Sequence, residues 1–253
     1  MAKATFLNHG NPLLTVMVQA DNPERVKELV YSSLQEGAEA FGMQFCRMKS
    51  EYRNKETYKE LFAAANGLPI YVTNYRGWEN EGKTDAVLAD EIVELADCGA
   101  TLCDITADVF DKQKGEFTTD TEAVKQQIEL INKIHERGAE VIMSSHICEF
   151  TPAERVLEIA KEQERRGADI SKIVVGANNA REEIENLRII DLLKENLKIP
   201  FLLLSSGESR ILRRIGGEFG CCMYLCVYEH DEFSTRAQPL LKNVKKITEA
   251  IRN

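Results

Sequence analysis

The chain has no long apolar run and relatively few basic residues. No stretch of its 253 residues approaches the about 18 consecutive apolar residues that a membrane-spanning helix needs, so we expect no membrane segment. Polar residues at Asn8, His9 and Gly10 interrupt the N-terminal region where a signal peptide would have its apolar core, and we expect a cytoplasmic protein. Asp and Glu outnumber Lys and Arg by 41 to 32, for a net charge of −9. No nucleic-acid partner is expected, because Lys and Arg supply most of the affinity for phosphate backbones.

Patterns typical of metal and cofactor binding are also missing. The seven cysteines are scattered and lie mostly in apolar runs, which is typical of small reduced core residues rather than of disulfide partners. Cys221, Cys222 and Cys226 also fit a metal site, but no Cys or His pair elsewhere has zinc-site spacing, so a core position is favoured. The residues after the first apolar run, Gln19-Ala-Asp-Asn-Pro, lack the glycines of a dinucleotide-binding loop. We expect neither a metal nor an organic cofactor.

What the sequence does have is a regular alternation of short apolar runs with amphipathic stretches, separated mostly by Gly, Pro, Asn or Asp. This pattern predicts repeated βα units and a parallel sheet. Candidate strands begin near Leu14, Ala40, Pro69, Thr101, Glu140, Ile170, Pro200 and Cys221. Candidate helices lie near Pro23–Glu36, Lys55–Asn66, Asp85–Asp97, Thr121–Arg137, Pro152–Arg166, Arg181–Leu197, Ser209–Phe219 and Leu240–Arg252.

The starts of the helices support this count of eight units. Asn22-Pro-Glu and Thr151-Pro-Ala-Glu each provide a capping side chain, a Pro at the first helical position and a Glu in the first turn. No Gly-, Pro- or Ser-rich linker separates the units, and a (βα)8 barrel typically takes about 250 residues. We therefore predict that residues 1–253 form one α/β domain, a (βα)8 TIM barrel. A doubly wound open sheet, which also alternates strands and helices, is the alternative.

Active sites of such barrels lie at the C-terminal ends of the strands, and Lys172 and His146 are candidates there. Period-two alternation puts Lys172, Val174 and Gly176 on one face of strand six. If this face is the barrel interior, burial lowers the lysine pKa from about 10.4 and supplies the neutral amine that attacks a carbonyl. The alternative is a strand-start lysine whose ammonium reaches water. His146 ends strand five, and neighbouring strands are about 4.8 Å apart, so both side chains can contact one substrate.

Further polar residues are also predicted to lie at the C-terminal ends of the strands. They are Gln44 and Cys46 on strand two, Tyr75 and Arg76 after strand three, Asp104 on strand four, and residues 206–210 after strand seven. Arg210 follows the small-residue turn Ser205-Ser-Gly-Glu-Ser, where a guanidinium and free backbone N–H groups together bind a carboxylate or phosphate. Arg213 and Arg214 precede the glycines that end the helix, and we expect them on its solvated face.

Three stretches of the chain resemble the type I 3-dehydroquinate dehydratase family of imine-forming dehydratases, and the likeness covers nearly the whole chain. Val141-Ile-Met-Ser-Ser-His is similar to the family's Met-Ser-x-His strand, and Asp169-Ile-Ser-Lys-Ile to its Asp-Ile-x-Lys-Ile strand. Ser234-Thr-Arg-Ala-Gln is similar to the family loop Ser-Ala-Pro-Gly-Gln, which closes over the substrate.

The resemblance implies a role for each matched residue. Lys172 is the imine lysine, His146 is the general acid and base, and Arg210 holds the substrate carboxylate. Ser234 and Gln238 close over the substrate, and Arg76 matches the arginine that ends strand three in the family. The implied reaction is the cofactor-free dehydration of 3-dehydroquinate to 3-dehydroshikimate in the shikimate pathway, carried out by a homodimer.

Three sites in the sequence differ from the family pattern. Gln44-Phe45-Cys46 stands where the family presents Glu-x-Arg to the substrate hydroxyls, so Gln44 becomes the expected contact there. Asn80 holds the place of the family's histidine-orienting glutamate, and Glu81 fills it only if the loop has one extra residue. Asp104-Ile-Thr106 replaces Asp-x-Glu. Two alternatives therefore stay open: an imine-forming lyase or aldolase acting on another hydroxy-keto acid, and a non-catalytic protein that binds a metabolite.

Overall fold

A computed structural model describes residues 4–252 and contains eight strands that alternate with eight α-helices. The strands are β1 Leu13–Val18, β2 Ala40–Gln44, β3 Ile70–Thr73, β4 Leu102–Thr106, β5 Glu140–His146, β6 Ile170–Gly176, β7 Phe201–Ser206 and β8 Met223–Cys226. The helices are α1 Pro23–Glu36, α2 Lys55–Ala64, α3 Asp85–Asp97, α4 Thr121–Glu136, α5 Ala153–Arg165, α6 Ala180–Asn196, α7 Leu212–Phe219 and α8 Leu241–Arg252. Short 3-10 turns occur at Phe45–Arg47, Ser50–Tyr52 and Trp78–Asn80.

The eight strands form one parallel sheet in the order β7-β6-β5-β4-β3-β2-β1-β8. Cys222, just before β8, donates its backbone N–H to the carbonyl oxygen of Phe201 in β7 at 2.9 Å, so the two edges of the sheet meet. The sheet therefore curls into a nearly closed barrel with the helices outside. The predicted (βα)8 TIM barrel is confirmed, and the open-sheet alternative is wrong.

The two faces of β5 pack in different places. Ile142 and Ile170 belong to a buried apolar cluster that also contains Tyr71, whereas Val141 and Met143 cluster with the α4 side chains. Lys172 shares its face of β6 with Ile170, because side chains two residues apart point the same way. Lys172 therefore points into the barrel, above a layer of apolar side chains.

A glycine in β2 makes room in this interior. A Cβ added at Gly42 would collide with the side chains of Met17 and Tyr71. Because Gly42 has no Cβ, the Tyr71 ring can cross the barrel, and the Tyr71 hydroxyl reaches the level of Lys172.

The helices begin and end within two residues of their predicted positions except at the start of α7, and one predicted cap is wrong. Asn22 caps α1 as predicted. Thr151 does not cap α5: its hydroxyl bonds the carbonyl of Glu149, and Glu185 of α6 accepts the free N–H of Ala153 at 3.1 Å instead. The second difference is at α7, which begins at Leu212 and not at Ser209, and this moves the arginines of that segment.

Two further observations concern membrane-spanning helices and the cysteines. In the part of the chain that the structure describes, no helix is both long enough and apolar enough to cross a membrane. All seven cysteines are free thiols, and Cys221 and Cys226 lie in the core as predicted.

Candidate active site

Lys172 lies near the middle of β6, and its side chain is only 4% exposed. Its Nζ donates hydrogen bonds to the hydroxyl of Tyr75 at 2.7 Å, the hydroxyl of Tyr71 at 2.9 Å and Oδ2 of Asp104 at 2.9 Å. The predicted inward orientation is confirmed, and the alternative of an ammonium in water is wrong. The buried ammonium has a carboxylate as its direct counter-ion.

Asp104 of β4 is the centre of this cluster, with a fully buried side chain. Its Oδ2 accepts from Lys172, Tyr71 and Tyr75, and its Oδ1 accepts from Ser144 Oγ at 2.6 Å. Burial by itself would raise the pKa of Asp104, but nearby Lys172 and His146 and the hydrogen bonds from Ser144 and Tyr71 outweigh it and lower the pKa. Asp104 therefore stays a carboxylate.

Burial and the neighbouring carboxylate act together on the two tyrosines. Both effects raise the pKa of Tyr71 and of Tyr75 well above the ordinary value for tyrosine. Both hydroxyls therefore keep their protons, and each can donate to Asp104 while it accepts from Lys172.

His146, at the end of β5, has a carboxylate partner from a different loop than predicted. Its Nδ1 lies 2.6 Å from Oε2 of Glu116, and its backbone N–H donates to the same oxygen at 3.2 Å. A carboxylate at Nδ1 favours the tautomer with its proton there, which leaves Nε2 as the free acceptor. The Tyr75 ring packs edge-on against the imidazole, with the ring centroids 5.3 Å apart.

Glu116 lies in the loop between β4 and α4 and was not among the site residues predicted from the sequence. Glu81, predicted to orient the histidine, is exposed at the end of the Trp78–Asn80 turn, and within residues 4–252 it makes no hydrogen bond or ion pair with His146. That prediction is wrong. Asn80 is also occupied elsewhere, because its amide donates to the backbone oxygen of Tyr75 at 2.8 Å. The only local signal for Glu116 is the preceding Gly115: both residues have positive φ, 78° and 51°.

A buried arginine holds both ends of the loop that carries Glu116. Arg166, just after α5, donates to the carbonyl oxygens of Ala107 at 3.0 Å and Thr118 at 2.6 Å, and to Oε1 of Gln127 at 2.8 Å. The side chain of Arg166 is completely buried. Inside the barrel wall, Ser145 Oγ donates to the backbone oxygen of Glu116 at 2.9 Å. The loop is therefore fixed at three points, and its carboxylate meets His146 in a defined position.

A cavity of about 410 Å³ opens at the C-terminal ends of the strands, and Lys172, His146, Glu116 and Tyr75 line one side of it. This volume is within the range of small-molecule sites. The other side is lined by Met17, Gln19, Gln44, Ser206, Arg213, Thr235 and Gln238, among others. Among the described residues, no three His, Cys, Asp or Glu side chains lie where they would hold a metal ion together.

Trp78 also lines the cavity and has an unusual conformation. Its φ is 52°, which bulky side chains rarely adopt, and its side chain is half exposed. The guanidinium carbon of Arg47 lies 4.0 Å from the centre of its ring. This cation–π contact holds the indole at the cavity.

Arg213 lines the cavity, whereas the predicted Arg210 does not. Arg213 is only 7% exposed, and its Nε donates to the carbonyl oxygen of Ser205 at 2.5 Å. Burial lowers the pKa of Arg213 to about 10, so it is still a cation at neutral pH. Arg210 is exposed and donates to the carbonyl oxygen of Gly207 at 2.9 Å. The reason is the later start of α7, which leaves Arg210 in the loop and puts Arg213 in the first turn, facing the barrel.

Arg76 is at the cavity, but carboxylates already hold its guanidinium. It makes two parallel hydrogen bonds to Asp85, at 2.7 and 2.6 Å, and its NH1 donates to Asp108 at 2.9 Å. Asp108 is fully buried. The two carboxylates more than balance the charge of Arg76 and, with the Asp108 carbonyl oxygen, use most of its N–H groups, so few are left for the predicted substrate contact.

The other predicted binding residues divide into two groups. Gln238 and Gln44 line the cavity. Ser234 does not: its hydroxyl accepts from the backbone N–H of Asp231 at 2.9 Å. The next residue, Thr235, takes its place at the cavity and accepts from the Gln19 amide at 3.2 Å.

Strand two therefore presents one neutral amide to the cavity and nothing charged. The Gln44 amide donates to the sulfur of Cys46 at 3.4 Å. Cys46 is fully buried and is not part of the cavity wall.

Comparison with known proteins identifies relatives of this chain. The curated 3-dehydroquinate dehydratase of Alkaliphilus oremlandii is 35% identical over 131 residues, which are 50% of this chain and 51% of that protein. The protein of the same name from Clostridium kluyveri is 29% identical over 161 residues, covering 62% and 60% of the two chains. The matched part of this chain thus spans only about half to three fifths of these relatives' length.

Solved structures show the same fold along the whole chain. The 3-dehydroquinate dehydratase of Geobacillus kaustophilus superposes with a TM-score of 0.83 at 16% identity, covering 100% of this chain and 96% of that one. The type I enzyme of Clostridium difficile, solved with covalently modified comenic acid, gives 0.80 at 17% identity, covering 96% and 93%. A family model described as type I 3-dehydroquinase matches residues 15–252. The chain therefore belongs to the type I 3-dehydroquinase family.

Proposed function

We propose that this protein is a 3-dehydroquinate dehydratase, a lyase that converts 3-dehydroquinate to 3-dehydroshikimate through an imine on Lys172, in the shikimate pathway of aromatic amino acid biosynthesis. One observation carries the proposal: the buried amine of Lys172 and the imidazole of His146 line the same cavity. An amine that attacks a carbonyl and a base beside it are the two groups that imine chemistry needs. The choice of substrate rests on family membership.

The first stage is formation of the imine. The Lys172 ammonium gives one proton to Asp104, its nearest anion at 2.9 Å, and the free amine attacks the substrate ketone. Loss of water then leaves an iminium. The iminium carries the same positive charge at nearly the same place as the ammonium did, so the Asp104 carboxylate stabilises it without rearrangement.

The second stage is the elimination. The iminium acidifies the neighbouring C–H, and His146 removes that proton and returns it to the β-hydroxyl, which leaves as water. Glu116 fixes the tautomer of the imidazole and stabilises the imidazolium that forms between the two transfers. A base and acid placed in this way contributes about 10²–10⁴-fold to the rate. Hydrolysis of the imine releases the enone.

Arg213 holds the substrate carboxylate, the role that the sequence predicted for Arg210. It is a buried cation at the cavity, and its only hydrogen bond to the described residues is from Nε. Its terminal N–H groups are therefore available for a carboxylate, with which a guanidinium makes strong paired bonds. Gln44 and Gln238, which line the cavity, bond the substrate hydroxyls in this proposal.

A second candidate has a specific observation in its favour. Gln44 brings no charge to the cavity wall and Cys46 does not reach it, so strand two lacks charged partners for substrate hydroxyls. An imine-forming lyase or aldolase for a less hydroxylated keto acid would use the same Lys172 and His146.

Borohydride trapping tests both candidates. The protein is mixed with 3-dehydroquinate, enone absorbance is followed, and a parallel sample is reduced and mapped by mass spectrometry. We expect the enone to appear and the reduced adduct to lie on Lys172. Lys172→Ala should lose both signals, and Lys161→Ala, an exposed lysine on α5, should keep them. An adduct on Lys172 without enone would favour the second candidate, and an adduct on another lysine would contradict both.

The remaining expectations are also proposals. We propose that the single barrel domain carries the activity and that it works as a homodimer in the cytoplasm. Seven free thiols are typical of a reducing compartment. Light scattering should give twice the chain mass of 28.6 kDa.

A further inference from the structure

Two groups that bond Lys172, Tyr71 and Tyr75, have no task in the mechanism proposed so far. Within residues 4–252, three groups bond the lysine nitrogen: Tyr71, Tyr75 and Asp104. Of these, Tyr75 alone also lines the cavity. Tyr71 makes the same two contacts, to Lys172 and Asp104, but it is completely buried.

Imine formation needs proton transfers at the lysine nitrogen, and among the described residues His146 makes no hydrogen bond to that nitrogen. When the amine has added to the ketone, one proton must move from nitrogen to the neighbouring oxygen, and a second must reach that oxygen before it leaves as water. Direct transfer between atoms attached to the same carbon is strained. A hydroxyl that contacts the nitrogen and borders the space for the oxygen can carry both protons.

We propose that Tyr75 is a catalytic residue that relays protons between Lys172, Asp104 and the substrate oxygen while the imine forms and breaks. The proposal rests on the function proposed above. His146 is then left to act at the C–H and at the β-hydroxyl. The hydroxyl of Tyr75 lies 2.7 Å from Lys172 Nζ and donates to Asp104, so both ends of the relay are already in contact.

The protons balance at each step. Asp104 takes one proton from the ammonium, and the amine forms the C–N bond while the π electrons of the C=O bond move to oxygen. That oxygen takes the Tyr75 proton, and the tyrosine oxygen takes one from the attached nitrogen. The nitrogen lone pair then expels the hydroxyl, which receives the Tyr75 proton as Asp104 returns its own to Tyr75. Water leaves, the iminium remains, and Asp104 is again a carboxylate.

Tyr71 provides a matched variant for the test. Tyr71→Phe and Tyr75→Phe each remove one hydroxyl that bonds both Lys172 and Asp104, and each keeps the ring. Any effect that comes only from holding the lysine should appear in both variants. The effect of the relay should appear only at the position that lines the cavity.

The experiment measures imine formation separately from elimination. The full chain and each variant are mixed with 3-dehydroquinate and quenched with borohydride at increasing times, and the adduct is quantified by intact mass. The reduced substrate and product adducts differ in mass by one water, so the change in their ratio with time gives the rate of the elimination. We expect Tyr75→Phe to form the adduct about 10²-fold more slowly than the parent, and at least about tenfold more slowly than Tyr71→Phe. The elimination, which converts the substrate iminium to the product iminium, should stay within about threefold of the parent.

Equal slowing in the two variants, or an unchanged rate in Tyr75→Phe, would overturn the relay while the dehydratase function stands. Slowing of the elimination alone would also overturn it. No adduct on Lys172 in the parent would overturn the dehydratase function and the relay together.

Discussion

The two sides of the barrel mouth are built differently. On the side of β3 to β6, Lys172 has three partners, Asp104 has four donors and His146 has its carboxylate. On the side of β7, β8, β1 and β2, Arg213 uses only its Nε, and Oε1 of Gln238 has no hydrogen-bond partner among the described residues.

This difference suggests that the β3–β6 side serves the reaction and that the other side serves substrate binding. Groups that are already paired and oriented stabilise developing charge without reorganisation, so the β3–β6 side is prepared for chemistry before substrate arrives. Buried groups with free hydrogen-bonding capacity gain partners only when a ligand binds, so the other side is where affinity arises. Substitutions on the first side should lower kcat, and those on the second should raise KM.

The largest effect is expected at Glu116. Glu116→Gln removes the charge that fixes the His146 tautomer and stabilises the imidazolium, and we expect kcat to fall by roughly 10²–10⁴-fold with KM little changed. Steady-state kinetics on enone formation measures both. Glu81→Gln is the matched control, and we expect it to keep the parent kcat. A larger loss for Glu81→Gln would restore the orienting role to the β3–α3 loop.

Asp104→Asn tests how much the β3–β6 side depends on the charge of the Asp104 carboxylate. The change leaves a buried ammonium without a counter-ion, and we expect a loss of about 3–5 kcal/mol in the free energy of unfolding at neutral pH. Because the pKa of Asp104 is lowered in the folded state, its stabilising effect is complete above its unfolded pKa of about 3.9 and is lost as pH falls through the lower folded value. Urea unfolding at several pH values should therefore show the two proteins converging in acid, and a difference that grew in acid would contradict this account.

Arg213→Gln tests the binding side. We expect KM to rise by about 10–100-fold with a smaller change in kcat, because one charge-assisted bond contributes about 1.5–3 kcal/mol and about 1.4 kcal/mol is tenfold. Arg210→Gln, which changes an exposed guanidinium outside the cavity, should leave KM as it is. If Arg210→Gln raised KM more than Arg213→Gln did, the comparison of the two sides would be wrong at this position.

The smallest effect is expected at Gln44. If 3-dehydroquinate is the substrate, Gln44→Glu should lower KM by up to about tenfold, because a carboxylate makes stronger bonds to hydroxyls than an amide does. Cys46→Arg should not add to this, since Cys46 is buried away from the cavity and an arginine there would destabilise the fold. A higher KM in Gln44→Glu would favour a less hydroxylated substrate.

The sequence predicted the functional residues that lie in short, recognisable local patterns. Lys172 and His146 each lie in a strand whose alternation and neighbours can be recognised, and the barrel follows from eight repeats of one pattern. Arg213 was assigned to solvent because the start of α7 was placed three residues early, which put Arg210 instead of Arg213 in the first turn of the helix. Glu116 was not found because the loop between β4 and α4 has no periodicity, and its position depends on the distant Arg166.

Trp78 provides a fluorescence signal that is specific to the cavity. The chain has one tryptophan, and it lines the cavity beside Arg47. Indole emission responds to the polarity and charge around the ring, so every change in tryptophan fluorescence originates at this one place. Occupancy of the cavity can therefore be followed by titration in proteins that bind but no longer react, without any coupled assay or label.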